Sequence, residues 1–168
     1  MSHAIMRIQK IKSMQALAER EKHNTRRKTV LSADGSNNIT VEGYTGLVGR
    51  VKALEKQIDA NNKRYQNGVR AIEVLFTSDK AFFKRVAHEQ YFDECKKWLV
   101  DTFGEENLLQ AVTHLDEETP HLHAILTTVK DNKFNYSGYI NGRQDLRALQ
   151  DSFFAQVEHL GLERGEKV

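Results

Sequence analysis

The chain has 168 residues, 39% hydrophobic and 29% charged, which suits one soluble domain with a single sizeable core. No apolar run approaches a membrane span, Met1-Ser-His-Ala-Ile-Met-Arg7 lacks the apolar centre of a secretory signal, and Cys95 is alone. A reducing cytoplasm without disulfides is therefore expected. The net charge is only +2, yet residues 1–30 carry eight Lys or Arg against Glu19 and Glu21, a balance of +6 over a remainder of −4. A basic segment on a mildly acidic body is either a solvated face or a footprint for phosphate backbone.

Alternation predicts a strand over Ala4–Ile11, with Ile5, Arg7, Gln9 and Ile11 on one side and Met6, Ile8 and Lys10 on the other. Ser13 is placed to cap a helix through Met14–Arg20. Ser32–Asn38 is a loop by composition. Leu47, Val51, Leu54 and Ile58 recur at helical spacing and predict a helix near 46–64, before Gly68. Ala71–Thr77 reads as a strand, and Ser78 or Asp79 caps the stretch holding Phe82, Phe83 and Val86. A helix over Glu89–Phe103 ends at Gly104. Two β-rich runs follow, Leu108–Thr113 and Ala124–Val129, then a turn at Lys130–Lys133 and a short strand over Phe134–Ile140. The last helix spans Asp145–His159, with Leu146, Leu149, Phe153 and Val157 as its apolar stripe, and Gly161 closes it. This order predicts an α+β fold, a largely antiparallel central sheet with packed helices. No Gly-rich phosphate loop occurs, so ATP chemistry is not indicated.

Between the two β-rich runs lies His114-Leu-Asp-Glu-Glu-Thr-Pro-His121-Leu-His123, with three of the seven histidines, three acids and the sole proline. Read as strand, turn and strand, it projects His121 and His123 to one face and brings His114 to them across the turn. Pro120 biases Thr119 toward extended backbone and suits a strand entry. A lone His-x-His pair is a weak signal, but a third imidazole at hairpin distance makes a site for a divalent metal with open positions. A metal held only by neutral imidazoles keeps its full charge and suits a phosphate oxygen, so phosphodiester chemistry is favoured over peptide hydrolysis. A candidate nucleophile is His23, in Lys22-His-Asn-Thr-Arg-Arg-Lys28. A neutral imidazole attacks phosphorus directly, and neighbouring cations help keep it neutral. The plainer alternative is that His23 only adds to a DNA-binding surface.

These blocks resemble the MobV (Mob/Pre) family of plasmid mobilisation relaxases. His114 to His123 is similar to its HxDExTPHxH motif, Ala4–Lys12 to its first strand, Lys22-His-Asn24 with Arg26 to its next signature, and Gly161–Gly165 to its end. The match is weak between residues 30 and 56. The resemblance implies an HUH-type fold over residues 1–168, compatible with the N-terminal part of a longer protein. It implies nicking and rejoining of one strand at a plasmid origin of transfer, in a bacterial cytoplasm, through a covalent histidine–5′-phosphate intermediate. By it, His23 is the nucleophile and Arg26 the residue on the scissile phosphate. Glu117 is the acid beside His23, and His114, His121 and His123 are ligands of manganese or magnesium. Asp116 is an alternative orienting acid, and Glu118 is expected in solvent. The expected partner is hairpin and single-stranded origin DNA, with other transfer proteins besides. Arg7, Lys10, Lys12, Arg26 and Lys28 are candidate phosphate contacts, and Tyr44 a base-stacking contact. Two rivals stand beside this reading. One is a rolling-circle replication initiator with Tyr44 or Tyr65 as nucleophile. The other is a non-catalytic DNA-binding module with structural zinc.

Overall fold

Strand alternation divides the molecule into two layers about one sheet. The computed structural model describes residues 1–26, 39–61 and 69–165. Its first strand, β1 (His3–Ile11), buries Ala4 and Met6 on one face and Ile11 on the other. Helix α1 (Met14–Asn24) follows, with the Ser13 hydroxyl accepting from the Ala16 amide at 3.0 Å. It runs four residues beyond the expected Arg20 and so carries His23 in its last turn. Strand β2 (Ile39–Gly43) and helix α2 (Leu47–Asn61) come next. The expected loop at Ser32–Asn38, together with Lys28, Tyr65 and Gly68, lies outside the described residues.

Strand β3 (Ala71–Thr77) pairs antiparallel with β1, Ile5 opposite Thr77 through Ile11 opposite Ala71. Ile72, Val74 and Phe76 face the layer made by α3 (Lys80–Arg85), α4 (His88–Phe103) and a last helix, α6 (Arg143–Val157). Asp79 rather than Ser78 caps α3, accepting from the Phe82 amide at 2.9 Å. The centre of this layer is aromatic: Phe153 lies 5.0 Å from Phe76 and 5.4 Å from Trp98, ring to ring. Each such buried ring stabilises the fold by roughly 1.5–3 kcal/mol relative to exposure. Leu146, expected in the stripe of α6, is instead 37% exposed.

The hairpin consists of β4 (Leu108–His114) and β5 (His121–Leu126), so its histidines sit within the strands, at their ends. A register shift between Leu108 and Gln110 turns Leu109 toward the second layer, where it packs with Leu17, Leu47, Val51 and Ile125. The strand expected over Phe134–Ile140 is not formed. Val129–Lys130 (β6) pairs with Lys133–Phe134 (β7), and Tyr136–Tyr139 is a short helix, α5. The Asn135 side chain accepts from the Gly138 amide at 3.1 Å and so diverts the chain into a helical turn despite its β-prone composition. With β8 (Glu163–Arg164), the main sheet has the order β2-β4-β5-β3-β1-β8. All its pairs are antiparallel except β1–β8, as expected for the α+β class. Among the described residues no helix is long and apolar enough to cross a membrane.

Candidate active site

The site lies on the sheet face covered by α1 and α2. His114 is directly opposite His121, while His123 pairs with Val112, one diagonal step from His114. The His114 and His123 rings are 4.4 Å apart, and those of His121 and His123 6.3 Å. Thr77 pins the turn by donating its hydroxyl to the Pro120 carbonyl at 2.8 Å.

Hydrogen bonds decide which imidazole nitrogen is left over. His114 Nε2 lies 2.6 Å from the Asn24 carbonyl, which only accepts, so Nε2 carries the proton. Its Nδ1 is buried and has no hydrogen-bond partner. His121 Nδ1 donates likewise to the Thr119 carbonyl at 2.6 Å, leaving Nε2. His123 Nδ1 is 3.6 Å from Glu73 Oε1. Burial, with the charge of His123 next, pushes His114 down to about 4, and burial lowers His121 as well. Both are therefore neutral at pH 7, the form in which imidazole binds metal. This donor set fits the expected divalent cation. A second grouping, His114, Asp116 and Glu117, also brings one ligand atom each within 4.8 Å. It fits less well, because Arg26 occupies both Asp116 oxygens and repels a cation.

Two residues bind the hairpin to α1. Asn24, 1% exposed, gives its carbonyl to His114 and its side-chain amide to Glu73 Oε2 at 2.8 Å. Glu73 also accepts from Arg20 at 3.3 Å. Burial works to raise the Glu73 carboxyl, but His123, Asn24 and Arg20 outweigh it and hold the group below its ordinary range. Glu73 matches no motif in the sequence and stands among the apolar residues of its strand. Its signal was its oddity, an acid alone within Ala71-Ile-Glu-Val-Leu-Phe76. Outer carboxylates orient metal-binding histidines. Glu73→Gln should therefore weaken manganese affinity about 10- to 100-fold, read by calorimetry, with the thermal transition measured alongside. Unchanged affinity in a folded variant would remove Glu73 from this role.

Farther back, buried Glu21 accepts from the Gly46 and Leu47 amides at 2.9 and 3.0 Å, so α1 caps α2 and is held against the sheet. His23 itself is exposed. Burial of its partly covered ring, with the Arg26 charge next, lowers its pKa. Arg26 follows the helix with φ of 61°, a left-handed conformation. That turn points its guanidinium back into the hairpin, where Asp116 accepts at 2.8 and 3.0 Å and Glu117 at 3.1 Å. Arg26 Nη1 is buried and makes no hydrogen bond. Asp116, the alternative orienting acid expected from the sequence, thus binds Arg26. Glu117 lies between Arg26 and His121, 3.6 Å from the latter's Nδ1. Glu118 is exposed and pairs with Lys80.

The remaining expected contacts are dispersed. Arg7 is opposite Leu75, which is opposite His123, so it lies two strands from the hairpin. Lys12 is exposed beyond the end of β1. Lys10 lies over the Tyr136 ring, 4.8 Å from its centroid. Tyr44 is 45% exposed and stacks on Arg50 at 3.7 Å. Ile39 is opposite His114, so Tyr44 is five residues farther along the sheet edge, roughly 17 Å at strand rise.

A histidine hairpin at the centre of such a sheet, with a basic helix end beside it, is the architecture of a relaxase domain. The fold matches the MobM relaxase domain solved with manganese and plasmid pMV158 oriT DNA, with a TM-score of 0.85. The match has 25% identity and covers 98% of this chain and 91% of that one. The chain belongs to the plasmid recombination enzyme family (Mob_Pre), which it matches over residues 1–168. It is 35% identical to a plasmid recombination enzyme of Bacillus sp. and 33% identical to the type 2 enzyme of Staphylococcus aureus strain Mu50. Each alignment covers 99% of this chain and 43% of the relative, so the chain spans less than half of their length.

Proposed function

We propose that residues 1–168 form the DNA-nicking domain of a plasmid mobilisation relaxase. It cuts and rejoins one strand at an origin of transfer, in the bacterial cytoplasm, through a histidine–5′-phosphate intermediate. The observation that carries this reading is Asn24, which ties the helix turn bearing His23 to one metal-ligand candidate, His114, and to Glu73, the acid beside another, His123. Nucleophile and hairpin are thereby held as one unit.

His23, neutral at pH 7, attacks phosphorus with its lone pair, and the 3′ oxygen of the upstream nucleotide leaves, taking up a proton from water to become the 3′ hydroxyl. Arg26, whose Nη1 has a hydrogen bond left to give, offsets the charge that develops on a phosphate oxygen. Glu117, between Arg26 and His121, accepts the proton that His23 loses. When bound by His114, His121 and His123, manganese, or magnesium in its place, supplies Lewis-acid polarisation of a non-bridging oxygen. The covalent bond conserves the energy of the broken phosphodiester, so reversal rejoins the strand. MobM, bound to oriT DNA and manganese, supports both the DNA and the metal assigned here.

The test is nicking of supercoiled DNA carrying the cognate origin, with manganese and with chelator. Manganese-dependent nicking with a protein-linked 5′ end supports the reading, and DNA binding without cutting overturns it. The pH profile adds a second check. Because the His23 pKa is lowered from 6.5, its neutral form persists below that pH. Single-turnover nicking should therefore reach half its plateau below pH 6.5. An acid limb above 6.5 would contradict a neutral His23 nucleophile.

A further inference from the structure

Beyond the site, the β1 edge of the sheet opens onto a second basic surface. Strand β8 covers only His3 and Ala4 of β1, so the strand beyond Ala4 faces a groove of about 740 Å³ against α6. Gln150 donates to the Met6 carbonyl at 2.8 Å, showing that Met6 directs its polar groups outward. Strand alternation places the Ile8 amide on the same open edge. Four arginines line the groove: Arg7, Arg143, Arg147 and Arg164. Arg164 is bound to Asp151 at 2.6 Å and to the Gly165 carbonyl at 2.9 Å, which holds it as a fixed wall. Arg7, Arg143 and Arg147 are exposed. Leu146, also exposed, gives the groove an apolar floor between Arg143 and Arg147. Helix α6 and the site lie on opposite faces of the sheet, and the two meet around the open β1 edge at Arg7, which shares one cross-strand row with Leu75 and His123 on the site's face. At about 4.8 Å per strand, Arg7 is roughly 10 Å from His123.

We infer that this groove binds the phosphodiester backbone of origin DNA flanking the nick, with Arg7 as the link to the active site and Arg143 and Arg147 as outer phosphate contacts. The inference rests on the relaxase reading for its DNA. The chemistry is that of backbone binding: fork-shaped donors on exposed stems, an open strand edge, and positive charge outweighing Asp151. It gives affinity and register without reading bases.

The experiment is a salt titration of origin-DNA affinity for the parent, Arg143→Gln/Arg147→Gln and Arg143→Lys/Arg147→Lys. A control, Lys84→Gln/Lys97→Gln, removes equal charge outside the groove. Each lost contact should flatten the log-affinity against log-salt slope by about 0.9 on duplex or about 0.7 on single strand. That corresponds to about fivefold weaker duplex binding per arginine at 0.15 M salt. The duplex hairpin and the single strand are titrated separately, and the arm showing the loss identifies which segment occupies the groove. The lysine variant should keep the parental slope, as should the control. Parental affinity and slope for the glutamine variant on both DNAs would overturn the inference, as would an equal loss in the control. The two readings fail separately. Parental nicking with an unaffected slope removes the groove alone, whereas an arginine-dependent slope without nicking removes the relaxase chemistry alone.

Discussion

His23→Ala should abolish nicking, by about 10³-fold or more, while leaving manganese binding and the thermal transition near those of the parent. The size follows from the role: without a covalent nucleophile, positioning and electrostatics act on a reaction that has lost its attacking group. The selectivity follows from the structure. The His23 side chain is exposed, and it is the neighbouring Asn24 that holds the helix to the hairpin. Three measurements suffice: cleavage of origin DNA, metal titration and a melting curve. Tyr44→Phe provides the opposing variant. Tyr44 lies about five strand residues from His114, so its loss should leave nicking intact and at most weaken DNA binding. The covalent adduct discriminates further. A histidine phosphoramidate is acid-labile and a tyrosyl phosphodiester is not, so brief acid treatment should release the DNA. An acid-stable adduct, or nicking lost only with Tyr44→Phe, would eliminate the histidine mechanism.

The hairpin was legible because its information is local. Three histidines, a proline and two β-rich runs within one short stretch constrain their own geometry, and the register found, His114 opposite His121, lies close to what spacing alone suggested. The helix carrying His23 was legible in type but not in extent, because Lys22, His23 and Asn24 give no apolar periodicity. Its end is fixed instead by tertiary partners, Asn24 by Glu73 and Glu21 by the Gly46 and Leu47 amides. Strand β2 was invisible for a related reason: its burial is slight, so no in–out alternation marks it, and its pairing with β4 alone defines it. Gly43 leaves a trace of that pairing, since at φ of 91° a Cβ there would meet the Leu109 carbonyl oxygen at 2.3 Å. The polar wiring lay beyond reach altogether. That Asp116 grips Arg26, and that Glu73 stands behind His123, depends on contacts between residues dozens of positions apart.

Arg26→Ala should destabilise the domain by about 3–5 kcal/mol, because the guanidinium is the main countercharge to a nearly inaccessible carboxylate. Both side chains of the pair are buried, at 6% for Arg26 and 1% for Asp116. For a chain of this length the loss corresponds to a fall in Tm of roughly 6–20 °C. Burial alone would raise the Asp116 pKa, but the hydrogen bonds and charge of Arg26 hold it below 3.8. In the parent, this pair's contribution is therefore present above about pH 3.8 and lost as pH falls through the lower folded value. In the variant that hold is lost. Burial is then opposed only by the Asp116 backbone amide and the charge of His114, so the folded pKa moves up and protonation costs the folded state less than in the parent. The gap in Tm between parent and variant should thus narrow as pH is lowered from 7 toward 4. Two further substitutions separate charge from backbone. Arg26→Gly should be less damaging than Arg26→Ala by about 1 kcal/mol, because φ of 61° disfavours alanine but not glycine. Adding Asp116→Asn to Arg26→Ala removes the orphaned charge and should restore much of the lost stability without restoring nicking. An additive double variant, or a Tm gap independent of pH, would show that Arg26 does not hold the hairpin turn together.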